Sequence, residues 1–157
     1  MKERIYVETS VVSYLTSRPS RDVIVAAHQK LTRQWWDQRS GEFDLVISEL
    51  VEQEVSRGDP DMSNARLAVI GKLPVLSIND GALVLAGRLV GTGPIPQESG
   101  ADALHISLAA VNGIDYLLTW NCKHLANALH RSQIETLVET AGYACPVICT
   151  PEELMED

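Results

Sequence analysis

The sequence is poor in aromatic residues and in positive charge. Only 5% of its 157 residues are Phe, Trp or Tyr, and 13 Lys and Arg are outnumbered by 21 Asp and Glu, which gives a net charge of −8. Such a chain is unsuited to coating nucleic acid through a broad basic surface, because that binding depends on many Lys and Arg contacts to phosphates. The charge does not exclude an enzyme that holds one phosphodiester through metal ions, and it is compatible with a basic protein partner.

Long apolar runs and paired cysteines are also missing. No apolar run approaches the roughly 20 residues that span a bilayer, and the first residues lead into a strand-like run without the apolar stretch of a signal peptide. We therefore expect a cytoplasmic protein without membrane segments. The three cysteines, Cys122, Cys145 and Cys149, lack the spacing of a zinc site. We expect reduced, mostly packed thiols.

The order of apolar patterns predicts an α/β fold with a mostly parallel sheet, formed by one domain over residues 1–157. The chain has no repeat or linker. Strands are predicted at 4–7, 43–47, 74–78, 115–119 and 146–149, and helices at 11–15, 20–39, 49–55, 60–71, 80–90, 102–111 and 121–130.

Glu54 is a carboxylate on an otherwise apolar helical face. Ser48 is a suitable N-cap for helix 49–55, and at about 100° per residue Leu50, Val51 and Val55 share one side of it with Glu54. A buried carboxylate is costly unless a cation or hydrogen-bond donors meet it, and no Lys or Arg of this helix can do so. We therefore expect a partner from elsewhere in the molecule.

Three further polar residues lie where strands give way to helices. Glu8 follows the first strand, Asn121 follows the strand at 115–119, and Asp102 begins a helix that is apolar nearly all round. Open parallel sheets bind their ligands at the carboxyl ends of the strands. A single acid at such a position is more often a cap or a solvated residue, but Glu8, Glu54 and Asp102 together, without a matching base, indicate a divalent cation. Carboxylate oxygens favour Mg²⁺ or Mn²⁺.

Four segments resemble the ordered motifs of PIN domains, and most closely those of VapC-type toxin nucleases from toxin–antitoxin pairs. They lie in family order over about residues 5–125, at 7–15 (VETSVVSYL), 47–55 (ISELVEQEV), 102–109 (DALHISLA) and 116–124 (YLLTWNCKH). Each segment alone is short, whereas all four at these spacings are specific.

The resemblance implies a three-layer α/β/α fold and a Mg²⁺- or Mn²⁺-dependent ribonuclease. Position by position, the family's metal-binding acids match Glu8, Glu54 and Asp102, and its fourth catalytic position matches Asn121. Such toxins act on RNA, commonly pair with a small antitoxin and often form homodimers. We expect the same partners here.

The sequence departs from the family at two of these positions. Most members have Asp where this chain has Glu8, which is one methylene longer, and often Asp where it has Asn121. An amide can give a carbonyl oxygen or hold a metal-bound water, but the lost charge weakens a second metal site.

Several other residues each have two possible interpretations. Thr9 and Ser10 can bind substrate phosphate or metal-bound water, or they can cap the following helix. His105 can orient Asp102 from three residues away, although a satisfied core histidine is the more common case. The pair Trp35 and Trp36 favours packing over a dimer or antitoxin surface.

Two other classes of protein are consistent with clustered acids. One is a catalytically weakened or inactive PIN-like domain that acts as a binding or regulatory module, which Asn121 supports and the three acids oppose. The other is a doubly wound phosphotransfer receiver. That class requires paired acids after the first strand and a Lys at the end of a late strand, and the sequence has neither.

Overall fold

A computed structural model describes residues 1–155. Five parallel strands form one sheet in the order β3-β2-β1-β4-β5, with β1 at its centre. The strands are β1 (Arg4–Val7), β2 (Asp44–Ser48), β3 (Val75–Leu76), β4 (Tyr116–Leu118) and β5 (Val147–Cys149). The predicted α/β class and the mostly parallel sheet are confirmed.

Seven α-helices connect and cover the strands. They are α1 (Thr9–Thr16), α2 (Val23–Gln38), α3 (Glu49–Val55), α4 (Pro60–Ile70), α5 (Asp80–Gly91), α6 (Gly100–Val111) and α7 (Ala128–Thr140). Helices α1 to α4 contact one another, as do α5, α6 and α7. The chain moves outward from β1 through β2 to β3 and then in the opposite direction to β4 and β5. With right-handed crossovers, this reversal places the two groups of helices on opposite faces of the sheet.

The core is densest around the central strands. Ile5, Tyr6 and Val7 of β1 are fully buried, and so is Leu118 of β4. Helix α6 is buried at seven of its twelve positions, as its nearly uniform apolar sequence predicts. Trp35 is also fully buried, in agreement with a packing role.

The cysteines are unpaired. Cys149 is buried, Cys145 is half-buried and Cys122 is exposed. Burial raises the pKa of both Cys145 and Cys149 to about 12, so neither is a reactive thiolate at neutral pH. No helix within residues 1–155 is long and apolar enough to cross a membrane.

Candidate active site

The polar residues of interest gather where β1 and β4 end. The chain leaves β1 toward β2 on one side, while β4 flanks β1 on the other, and the crevice at such a switch point is the usual ligand site of an open parallel sheet. Glu8 follows β1 directly, and Thr119 follows β4. The backbone N–H of Glu8 donates to the carbonyl of Leu118 over 3.1 Å, which joins the two strand ends.

Glu8 is buried and serves as the N-cap of α1. Its Oε2 accepts from the backbone N–H of Ser10 over 3.1 Å, and its Oε1 accepts from the hydroxyls of Ser10 and of Thr119, the latter over 2.6 Å. The prediction that Thr9 or Ser10 caps this helix is wrong. Helical geometry already begins at Thr9, so the preceding carboxylate takes the free amide of the first turn.

Glu54 lies across the crevice from Glu8, near the end of α3. Ser48 caps this helix as predicted, since its Oγ accepts from Val51 N over 3.2 Å. Glu54 Oε1 lies 2.6 Å from Thr9 Oγ1 and 2.7 Å from His105 Nε2. Burial acts to raise the pKa of Glu54, but the hydrogen bonds from His105 and from the Thr9 hydroxyl act against it, and the pKa is lowered overall. The expected partner from elsewhere in the molecule is therefore His105.

His105 is only 1% exposed and both of its ring nitrogens have partners. Nε2 meets Glu54, and Nδ1 lies 2.6 Å from the hydroxyl of Tyr6, which is itself 2.6 Å from Ser48 Oγ. Burial raises the pKa of Tyr6 far above its usual range, so its hydroxyl keeps its proton. The prediction of a satisfied core histidine is confirmed. The alternative, in which His105 orients Asp102, is wrong.

Glu8, Glu54 and His105 each offer one ligand atom, and these three atoms lie within 4.8 Å of one another. Within residues 1–155 the second oxygen of Glu54, Oε2, has no hydrogen-bond partner. Two carboxylates with a free oxygen in a half-buried crevice fit a hard divalent cation such as Mg²⁺ or Mn²⁺.

Asp102 occupies the first turn of α6, as predicted, but lies outside this group of three. Its Oδ1 accepts from Asn121 Nδ2 over 3.0 Å, and its Oδ2 accepts from His124 Nδ1 over 2.9 Å. The backbone N–H of Asn121 in turn donates to Thr119 Oγ1, which also contacts Glu8. The structure thus brings Glu8 and Glu54 together and connects Asp102 to them through Asn121 and Thr119.

The segment that carries Asn121 is held by Trp120. The indole Nε1 donates to Thr32 Oγ1 over 2.7 Å, and the ring stacks on His28 and Tyr14, with centroid distances of 4.1 and 6.1 Å. These contacts fix the chain to α1 and α2 immediately before Asn121.

The helix predicted at 121–130 is wrong. Asn121 caps a single turn: its Oδ1 accepts from the backbone N–H groups of Lys123 and His124, and its carbonyl accepts from those of Leu125 and Ala126. The chain does not continue as a helix beyond this turn. The helix begins only after Asn127, whose Oδ1 caps it by accepting from Leu129 N.

Solved structures with the same arrangement of strands and helices include toxins of bacterial toxin–antitoxin systems. The chain aligns with VapC20 of Mycobacterium tuberculosis, described as a sarcin-ricin loop cleaving toxin, at 15% identity and a TM-score of 0.59, over 89% of this chain and 96% of that one. It aligns with VapBC-1 from nontypeable Haemophilus influenzae at 16% identity and a TM-score of 0.58, over 95% of this chain and 98% of that one. It aligns with VapBC2 from Rickettsia felis, bound to a DNA fragment from its promoter, at 15% identity and a TM-score of 0.53, over 94% of this chain and 98% of that one.

The chain has the fold of the VapC toxins. The resemblance of its four motifs to that family is thus confirmed as a similarity of fold, and the three-layer architecture is confirmed with it. No family model matches the sequence. No curated protein matches it either.

Within this VapC fold, sequence reasoning missed several residues that shape the site. Thr119 and Tyr6 bind or orient other polar groups there, Ser48 contacts Tyr6 in addition to capping its helix, and His124 contacts Asp102. A polar residue at the end of a buried strand is a signal that could have identified Thr119. Thr9 and Ser10 donate to Glu54 and Glu8, respectively, and their binding of substrate stays a prediction.

Proposed function

We propose that this chain is a divalent-metal-dependent endoribonuclease, that it is the toxin of a toxin–antitoxin pair, and that it acts in the cytoplasm. One observation carries the proposal: in the described part of the chain, Glu8 and Glu54 converge at the switch point of a VapC fold, Glu54 keeps one carboxylate oxygen without a hydrogen-bond donor, and no Lys or Arg is among the hydrogen-bond partners of either residue. VapC20 is described as cleaving an RNA loop, which supports RNA as the substrate.

Glu8 and Glu54 are the residues that hold Mg²⁺ or Mn²⁺ in this proposal, with Asp102 completing the set. When bound, such an ion activates water and stabilises the leaving oxygen of a phosphodiester. Thr9 and Ser10 donate to the two glutamates, and in this proposal they also contact a substrate phosphate. Asn121 holds Asp102 through its amide. Because the chain carries a net charge of −8, the cation is the attractive element for an RNA phosphate.

The test is cleavage of mixed RNA by the purified protein with Mg²⁺ or Mn²⁺, with and without excess EDTA. Glu54→Gln, purified in the same way, reports any contaminating nuclease. We expect metal-dependent cleavage that the variant lacks. Full activity in EDTA contradicts metal dependence, and metal binding without cleavage favours the non-cutting module.

The proposed antitoxin partner rests on other observations. Two of the similar structures are VapBC complexes, and an acidic crevice suits a small antitoxin that inserts an Arg or Lys. We expect expression of the chain alone to slow growth and co-expression of a cognate antitoxin to restore it. We also expect a homodimer, which light scattering of the purified protein tests.

A further inference from the structure

A chain of four hydrogen bonds leads from the start of α3 to Glu54 at its other end. Val51 N donates to Ser48 Oγ over 3.2 Å, Ser48 Oγ lies 2.6 Å from Tyr6 Oη, and Tyr6 Oη lies 2.6 Å from His105 Nδ1. His105 Nε2 then lies 2.7 Å from Glu54 Oε1. Ser48, Tyr6 and His105 are at most 1% exposed, so water does not supply alternative partners.

The direction of these bonds follows from counting hydrogens. Ser48 Oγ already accepts from Val51, and within the described residues its own proton can reach only Tyr6. The Tyr6 proton then has one remaining partner, His105 Nδ1. Nδ1 therefore accepts, the ring is neutral, and its single proton is on Nε2, where it donates to Glu54.

The other two states of the ring leave a polar group unsatisfied. If Nδ1 carries a proton, it donates to Tyr6, Tyr6 donates to Ser48, and the Ser48 proton has no acceptor in a fully buried position. If Nδ1 carries the only proton, the lone pair of Nε2 also faces the Glu54 carboxylate at 2.7 Å. Each fault leaves a buried polar atom unpaired, which costs about 1–3 kcal/mol.

We propose that His105 is a positioning residue for Glu54 and not a metal ligand, and that Ser48 and Tyr6 select its Nε2–H form. Both donors to Glu54, His105 and Thr9, bind Oε1, and this arrangement leaves Oε2 for a cation. The metal-binding consequence rests on the proposed function, whereas the protonation of the ring does not.

The ring protons are measured by ¹⁵N NMR of protein labelled at histidine, first in EDTA and then with saturating Mg²⁺. His105→Gln identifies the His105 signals among the four histidines. We expect a protonated Nε2 and an unprotonated Nδ1 under both conditions. A proton on Nδ1, or loss of the Nε2 proton when Mg²⁺ binds, overturns the proposal. Absence of any Mg²⁺ binding contradicts the proposed function instead.

Metal affinity separates positioning from ligation. His105→Leu removes a donor to Glu54, and Tyr6→Phe removes the hydroxyl that fixes the proton of His105 on Nε2. We expect each to weaken Mn²⁺ binding about 10-fold or more in calorimetry. His105→Gln places an amide donor near the position of Nε2, and we expect it to restore most of the affinity. Ser107→Ala is the control, because that buried hydroxyl of α6 bonds only within its own helix.

If His105 is instead a metal ligand, we expect a different pattern of Mn²⁺ affinities among the variants. Tyr6→Phe then leaves affinity unchanged or improves it, since the ring is free to move its proton to Nδ1 and expose Nε2. Equal losses in His105→Gln and His105→Leu also overturn the positioning role. If His105→Leu does not fold, Tyr6→Phe and the NMR measurement still decide.

Discussion

The two halves of the acidic crevice are held in different ways. Glu8 and Glu54, the inner half, are bound by hydroxyls and by a buried imidazole that belong to α1, α6 and the end of β4. Asp102, the outer half, is bound by Asn121 and His124, which belong to one segment of turns. The inner half is therefore held by several separate elements, whereas the outer half depends on contacts within one segment.

The halves also differ in how far hydrogen-bond donors already compensate the negative charge of their carboxylates. Asp102 has a donor on each oxygen, and the Asp102 and His124 side chains are 18% and 16% exposed. Glu54 has both donors on one oxygen. Glu54 consequently keeps an oxygen free for a cation, which Asp102 does not.

The largest effect is expected when the inner charge is removed. Glu54→Gln should lower Mg²⁺ affinity by more than the about 10- to 100-fold typical of outer-shell changes, and cleavage should fall with it. Asp102→Asn should lower the affinity less, because Asn121 and His124 already compensate part of the Asp102 charge. Calorimetry and RNA cleavage measure both, with circular dichroism as the check on folding. If both amide variants cut RNA like the parent, the set of acids is wrong.

The next effect concerns Thr119, which joins the halves. Its Oγ1 donates to Glu8 and accepts from Asn121 N, and the residue is fully buried. Thr119→Val keeps the shape but removes both bonds, so we expect a loss of about 1–3 kcal/mol in the free energy of unfolding. Thr140→Val, at an exposed hydroxyl, is the control and should change it by less than about 0.5 kcal/mol. Similar urea midpoints for the two variants would rule out this link.

Asn121→Asp should give the outer half two carboxylates, as the inner half has. It replaces the amide donor that lies 3.0 Å from Asp102 Oδ1 with a second carboxylate. In EDTA the like charges should destabilise the variant by about 1 kcal/mol, and divalent ions should reverse this. We expect one Mg²⁺ in the parent and tighter binding in the variant. Identical affinity and stoichiometry would show that Asn121 lies outside the metal site.

The smallest effect is a dependence of stability on pH. The pKa of Glu54 in the folded protein is below its ordinary value of 4.5, so its charge stabilises the fold above that pH. The contribution is lost as pH falls through the lowered pKa. In metal-free buffer, the parent should therefore lose its advantage over Glu54→Gln below about pH 4.5. A difference that stays constant from pH 6 to pH 3 contradicts the favourable contact with His105.

The fold was largely predictable because its strands are short apolar runs with clear ends. The alternation of strands and helices, the Ser48 cap and the position of Asp102 in a first turn all agree with the structure. The segment after β4 was predicted wrongly because the turn that Asn121 caps does not continue as a helix, which apolar periodicity does not reveal. The predicted helix overlaps α7 only at residues 128–130, because α7 begins after its own cap, Asn127, and continues to Thr140.

The acids of the site were identifiable from sequence, but their partners were not. Glu54 on an apolar face indicated a missing partner, yet His105 is 51 residues away and on another helix. Spacing along α6 suggested Asp102 as the neighbour of His105, because local periodicity compares residues only within one element. Tyr6 is a similar case, since a tyrosine in a buried strand is most simply interpreted as packing.

The position of Glu8 at the N-terminus of α1 links ligand binding to the stability of that helix. The carboxylate to which we assign a cation is the same one that accepts from the first-turn amide of Ser10. Under that proposal, a bound cation draws charge from Glu8 and weakens its hold on the amide. Hydrogen exchange at Ser10 then reports locally on cation binding.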